Sequence, residues 1–288
     1  MNKILLITTG GTLACTPTEN GLMPTLTGVD IIEYCKYKDE ADIDICDFKL
    51  IDSSIMTDED RAELAEIIWG NRDDYDAFII SHGTDSMAYT AAYLDCALPD
   101  FGKSIIITGA QLPLPQEGTD AVENLNLAVE AAMEGYVGTC LAIWRRLIPA
   151  KSATKMETEG FEAFESVTKT YTTEKLSLPQ GERKLVAEPQ KKVGLIYITP
   201  NLDRETISRY ADFDAVLVLV LGSGGMPKHQ EAAFDRLKEK GVKVYIKSQC
   251  LFGKVEAIYE AHSGVNKFIS VVDTSIDWAV YAIMFGVI

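Results

Sequence analysis

Short apolar runs alternate along this chain with segments whose apolar positions are spaced as on a helix, and several of the runs break off into glycine, threonine or serine. That alternation constrains the fold more than any other feature. The runs are "KILLITT", "DIDICDFKLI", "YDAFIISHGTD", "KSIIITGAQLP" and "VGTCLAIW". Between them lie "GVDIIEYCKYK", "TDEDRAELAEIIWGN", "SMAYTAAYLDCAL" and "AVENLNLAVEAAMEG", which read as helices. In the second of these, Thr57 stands where an N-cap belongs, with acidic residues in the first turn. Repeated strand–helix units predict an α/β fold with a mostly parallel sheet covered on both faces.

From Tyr171 to Lys192 the pattern lapses into a charged stretch with two prolines, which reads as a linker. Beyond it "VGLIYITP", "AVLVLVLGSGG", "QEAAFDRLKEKG", "VKVYIKSQC" and "DTSIDWAVYAIMFGVI" form a second, smaller α/β set. The expected division is an N-terminal domain over 1–185, linker included, and a C-terminal domain over 186–288. The 288 residues suffice for a substantial core in such an arrangement.

Charge and cysteine pattern exclude whole classes of function. A net charge of −16 leaves no basic stripe to neutralise phosphates, so nucleic acid is not an expected partner. No apolar run reaches the roughly 18 residues of a membrane helix, and Met1 runs directly into a strand without the features of a signal peptide. The six cysteines are scattered, with no CxxC pair and no neighbouring histidine cluster. This speaks against a metal site and a disulfide framework, and for reduced thiols in a cytoplasmic protein.

The strand ends carry the chemistry. In open α/β sheets ligands bind outside the carboxyl ends of the strands. The first run ends in Thr9-Gly10-Gly11-Thr12, where the glycines permit close approach of the main chain and Thr12 presents a hydroxyl. Other runs end in Asp52-Ser53-Ser54, in His82-Gly83-Thr84-Asp85 and in Gly109-Ala110. Each of these alone is more often the mark of a tight turn or a helix cap than of a site. Four in one half of the chain point to one converging pocket. The spacing does not fit a phosphate loop, since no GxxxxGK[ST] occurs.

Taken in order, "TGGT", "DSS", "HGTDSMAYTA", "TGAQLP" and "SQC" resemble the bacterial-type L-asparaginases, and the layout is similar to the shorter, cytoplasmic type. The resemblance implies an amidohydrolase that converts L-asparagine to L-aspartate and ammonia without metal or organic cofactor. It implies that Thr12 attacks the amide and forms an acyl-enzyme, and that Thr84 and Asp85 are the second threonine and its acid, with Asp85 also holding the substrate ammonium. "LIPAKSATKMET" resembles the segment bearing the catalytic lysine, and its Thr-Lys pair selects Lys155 over Lys151. The resemblance further implies that Ser53 and Ser54 bind the substrate carboxylate, that Gly11 and Thr84 supply oxyanion-hole N–H groups beside Gly83, and that the Ala110 carbonyl accepts from the leaving amide. It also implies a homodimer or homotetramer acting on a small molecule.

Three positions depart from the family pattern. Leu22 stands where a loop tyrosine is usual, Gly225 where an asparagine is common, and Asp277 near a common glutamate. A leucine cannot share the Thr12 proton. Tyr259, nine residues after Cys250, matches a tyrosine that some cytoplasmic members contribute from a neighbouring subunit; an interface or core tyrosine would look the same. The alternatives are glutamine hydrolysis, an amidotransferase subunit of related fold, disfavoured because no extra N-terminal domain is seen, and a weakly active amino-acid-binding protein.

Overall fold

A computed structural model describes residues 2–19, 21–171, 183–257 and 259–288. The chain divides into two compact units, Met1–Glu188 and Pro189–Ile288. Half of the expected linker, residues 172–182, lies outside the described residues.

The first unit opens with β1 (Lys3–Gly10), a 3-10 turn (Thr12–Ala14), and an antiparallel ribbon of β2 (Cys15–Thr18) and β3 (Gly21–Pro24). There follow α1 (Gly28–Ile32), β4 (Asp42–Ile51), α2 (Asp58–Gly70), β5 (Ala77–Ser81), α3 (Met87–Ala97), β6 (Ser104–Thr108), α4 (Ala121–Glu134), β7 (Gly138–Ile143) and β8 (Arg146–Pro149). A ribbon of β9 (Ala153–Lys155) and β10 (Phe164–Ser166) completes it. The six-stranded sheet runs β4-β1-β5-β6-β7-β8, parallel except for the last pair. Central β1 sets Leu6 beside Ile45 on one flank and Ile79 on the other. Both β5 and β6 are buried at every position, as strands covered on both faces must be.

Local chemistry explains the boundaries. The Thr57 side chain accepts from the Asp60 N–H while the Asp60 carboxylate accepts from the Thr57 N–H, so α2 starts on a capping box, with Asp58, Glu59 and Asp60 at its positive end. Helix α4 stops at Gly135, whose φ of 72° is left-handed. The segment "GVDIIEYCKYK" forms only the five helical residues of α1, a correction to the sequence expectation. After Ile32 the chain continues in tight turns, Tyr34 N–H to Ile31 O and Cys35 N–H to Ile32 O, and the Lys36 N–H is taken by the Asn126 side chain of α4. Its β-branched and aromatic residues have little helix propensity to resist that capture.

The second unit contains β11 (Val193–Tyr197), α5 (Arg204–Ser208), β12 (Ala215–Val220), α6 (Lys228–Glu239), β13 (Lys243–Ser248), a 3-10 segment (Glu260–Lys267), β14 (Ile269–Ser270) and α7 (Ile276–Met284). Its sheet, β11-β12-β13-β14, is parallel throughout. Successive side chains of β12 serve opposite cores: Val216, Val218 and Val220 pack with Phe234 and Leu237 of α6, and Leu217 and Leu219 with Ala279 and Ile283 of α7. Among the described residues no helix is long and apolar enough to cross a membrane.

Candidate active site

The carboxyl ends of β1, β4 and β5 meet main chain against main chain. Gly11 has φ 75°, and a β-carbon built on it would lie 2.3 Å from the Gly83 nitrogen. One built on Gly83 would lie 2.6 Å from the Ser53 hydroxyl oxygen. Only glycine satisfies both the backbone sign at position 11 and the contact at 83. The glycine–hydroxyl turns are therefore the condition for bringing three strand ends to one point.

Around that point is a cavity of about 150 Å³ lined by Gly11, Thr12, Cys15, Leu22, Pro24, Asp52, Ser53, Gly83, Thr84 and Asp85. This is below the roughly 300–1,000 Å³ of pockets for drug-sized ligands, so the cavity suits a small polar molecule. The strand ends give it polar lining, and Cys15, Leu22 and Pro24 of the β2–β3 ribbon line it as well. Three hydroxyls, of Thr12, Ser53 and Thr84, and one thiol, of Cys15, line it. Burial, aided by the negative charge of Asp52, pushes the Cys15 thiol up from its ordinary range, and its S–H donates to Gly11 O (3.3 Å). Cys15 thus stays protonated.

The wall is braced from behind. The Ser86 hydroxyl donates to Ser53 O (2.5 Å), tying the start of α3 to the end of β4, and the Asp52 carboxylate accepts from the Ser54 N–H (2.8 Å). The fully buried His82 donates from Nδ1 to Gly83 O (2.7 Å), so its Nε2 accepts from the Thr90 hydroxyl (2.8 Å). Arg61, itself buried, donates to the same Thr90 oxygen (3.1 Å). Desolvation lowers the His82 pKa to about 4, which keeps the ring neutral.

Lys155, at the end of β9, reaches this wall across 71 residues of sequence. Its Nζ donates to Thr84 Oγ1 (2.9 Å) and to Asp85 Oδ1 (2.6 Å). The lysine side chain is 18% exposed and that of Asp85 63%, so the amine is sheltered while the carboxylate still faces outward. Lys151, by contrast, is exposed and outside this cluster. A hydroxyl, an ammonium and a carboxylate in mutual contact beside a second hydroxyl can move a proton and hold a cationic substrate group.

The other predicted residues fall as follows. Ser53 is buried in the cavity wall, whereas Ser54 is exposed and not part of the lining. Ala110 is fully buried and likewise not part of it. The Gly11 N–H, expected to face a developing oxyanion, donates to Ile51 O (3.3 Å) and is engaged within the sheet. Tyr259, Gly225 and Asp277 belong to the second unit; the Tyr259 side chain is exposed and Asp277 is buried. Among the described residues no three His, Cys, Asp or Glu side chains are grouped to hold a metal ion.

Three further residues, outside the expected set, join the site. Gln111 accepts from the Thr84 hydroxyl (3.4 Å). Asp120, nearly fully buried, accepts from the Gln111 and Leu112 N–H groups and from the Asn124 side chain. Asn124 in turn donates to Gly109 O (2.9 Å) and accepts from the Trp144 N–H (2.8 Å). Gln111 belongs to the motif "TGAQLP"; nothing in the local sequence marks Asp120 and Asn124.

A parallel α/β sheet with a threonine hydroxyl, a threonine–lysine–aspartate cluster and a small polar cavity at its strand ends defines a class: proteins equipped for attack on a carbonyl by a side-chain hydroxyl. Comparison with known proteins narrows it. The family model "Asparaginase, N-terminal" matches residues 3–180, and "Glutaminase/Asparaginase C-terminal domain" matches residues 192–286. The chain is 31% identical over 275 residues to L-asparaginase 1 of Escherichia coli strain K12, covering 88% of this chain and 81% of that one. It is 27% identical over 269 residues to L-asparaginase of Thermococcus kodakarensis, covering 88% and 82%. The solved structure of the thermostable L-asparaginase from that organism superposes with a TM-score of 0.91 at 25% identity, covering 99% of this chain and 92% of the other. The chain belongs to the asparaginase family.

Proposed function

We propose that this protein is an L-asparaginase, hydrolysing L-asparagine to L-aspartate and ammonia through an acyl-enzyme on Thr12. The observation that carries this reading is the contact of Lys155 with both Thr84 and Asp85 on the wall of the cavity that Thr12 also lines.

In this reading the Asp85 carboxylate, already bonded to Lys155 through one oxygen and largely exposed, holds the substrate's α-ammonium. Ser53 meets the α-carboxylate. The Thr12 hydroxyl attacks the side-chain amide carbonyl, forming a C–O bond as the carbonyl π pair moves to oxygen. Because Gly11 N–H is engaged by Ile51, we assign oxyanion stabilisation to the N–H groups of Thr12 and Thr84. Thr12 heads a 3-10 turn, so its N–H has no acceptor within that turn. Collapse of the intermediate breaks the C–N bond. The leaving nitrogen takes the Thr84 hydroxyl proton as Thr84 takes one from the Lys155 ammonium. Water then attacks the ester carbonyl, forming a C–O bond as the bond to Thr12 Oγ1 breaks; Thr12 regains its proton, and the water's proton returns through Thr84 to Lys155.

We assign Tyr259 of a neighbouring subunit to relay the Thr12 proton, its phenol oxygen taking that proton as its own O–H proton passes to solvent, since Leu22 has no polar atom to do so. That assignment requires a homo-oligomer, a dimer or tetramer. The free state of all six cysteines is in keeping with a reducing, cytoplasmic location.

Ammonia release by the purified protein, measured in parallel with L-asparagine and L-glutamine, tests the function. Preferential release from L-asparagine is expected. Preference for L-glutamine would move the assignment to glutamine hydrolysis, and aspartate binding without release from either amide would make the protein an amino-acid binder.

A further inference from the structure

Gln111 lies just beyond β6 and has no part in the chemistry above, yet its side chain bridges Thr84 and the loop that follows Lys155. Its amide nitrogen donates to Gly160 O (3.0 Å) and Thr158 O (3.4 Å), main-chain carbonyls in the loop that follows Lys155. Carbonyls only accept, so the amide orientation is determined: nitrogen toward the loop, oxygen toward Thr84. The Gln111 main-chain N–H is held by Asp120 (3.1 Å) at the head of α4. The residue is therefore fixed from two sides and presents one acceptor, Oε1, to the Thr84 hydroxyl.

We propose that Gln111 is a positioning residue for the relay, holding the Thr84 proton on a weak acceptor until substrate takes it. This role rests on the amide-hydrolysis reading of the site. Thr84 Oγ1 accepts from Lys155 at 2.9 Å, so its own proton must point elsewhere, and Gln111 Oε1 at 3.4 Å is the partner it finds. That is longer than the roughly 2.5–3.0 Å of an ordinary O–H···O bond, so the contact is weak. The hydroxyl can leave it for a leaving nitrogen at small cost while Lys155 stays in place behind. In the transfer the Thr84 O–H bond breaks as an N–H bond forms on the leaving group, and a Lys155 N–H bond breaks as a new Thr84 O–H forms. Gln111 gains and loses nothing. By spanning Thr84 and the 158–160 loop, it also keeps the strand end that carries the hydroxyl in register with the segment that carries the amine.

Two variants separate this role from simple structural support. Gln111→Met removes acceptor and donor at similar length; kcat for L-asparagine should fall at least about tenfold, with KM changed less than about twofold because Asp85 and Ser53 are untouched. Gln111→Glu carries its own switch. Ionised, the new carboxylate accepts from Thr84 but opposes the two loop carbonyls. Protonated, it regains a donor toward the loop and reproduces the glutamine pattern. The charged groups around it are Lys155 and Asp85 through Thr84, Asp120 at its main-chain nitrogen, and Glu157 against Gly160. The ratio of variant to wild-type kcat should therefore rise as pH falls from 7 toward 5. An active wild type with Gln111→Met within about twofold in kcat, or a flat ratio for Gln111→Glu, overturns the role alone. A wild type that releases no ammonia from either amide overturns the reading of the site on which the role depends.

Discussion

Gly11 and Gly83 touch backbone to backbone: a β-carbon on the first would stand 2.3 Å from the nitrogen of the second. Thr12 and Thr84, the residues that follow them, both line the cavity because of that contact. Gly11→Ala should therefore destabilise the fold by several kcal/mol and abolish turnover, through a steric overlap that has only main chain to yield and a left-handed φ of 75°. Gly70→Ala, where an added β-carbon meets nothing within 4 Å, is the control and should be neutral or slightly stabilising. Urea midpoints and ammonia-release rates for the two variants check this. A Gly11→Ala protein as stable and active as wild type would contradict the packing.

Lys155 and Lys151 lie in the same short stretch but differ in contacts. Lys155→Met should remove turnover almost entirely while the protein stays folded, since it deletes the amine between Thr84 and Asp85 and keeps an apolar stem. Lys151, exposed and outside the cluster, should be nearly silent when changed to Met. Reversed effects in the ammonia assay would misplace the relay lysine.

His82 makes stability depend on pH with a definite sign. Its folded pKa, about 4, lies below the ordinary 6.5 because burial disfavours the imidazolium. Between those values the unfolded chain binds a proton that the folded state refuses, so stability present above pH 6.5 is lost as pH falls toward 4. The shift corresponds to something on the order of 3 kcal/mol. Unfolding free energies of wild type and His82→Gln, measured from pH 7 to pH 4, should converge as pH falls; a constant difference would contradict it.

Tyr259→Phe deletes one hydroxyl from an exposed side chain. If that hydroxyl receives the Thr12 proton, turnover should fall at least tenfold, about 1.4 kcal/mol of transition-state stabilisation, with little change in Tm. An unchanged rate would return the role to the β2–β3 ribbon, where Thr16, Thr18 and Glu19 are the polar candidates.

Much of this architecture was readable from residue patterns. The alternating stretch Asp42–Ile51 is β4 to the residue, and the Thr57 cap opens α2 as its side chain requires. The site was partly readable for a topological reason: parallel strands put their carboxyl ends on one edge, so glycine–hydroxyl turns after β1, β4 and β5 had to meet. What stayed hidden depends on contacts distant in sequence. Lys155 sits 71 residues from Thr84 on a three-residue strand with no periodicity of its own, and only family likeness selected it. The length of α1, the engagement of the Gly11 N–H by Ile51 and the clamp of Asp120 on the turn after β6 are likewise settled by neighbours that local sequence does not name.

The central claim is that Thr12 is the nucleophile of amide hydrolysis. The most direct test measures ammonia release from L-asparagine by wild type and Thr12→Ala, with aspartate binding followed by calorimetry on the same samples. Loss of the covalent route should lower turnover by roughly a thousandfold or more, with aspartate still bound through Asp85 and Ser53. A Thr12→Ala protein that binds aspartate and keeps more than about a tenth of the wild-type rate would contradict the claim.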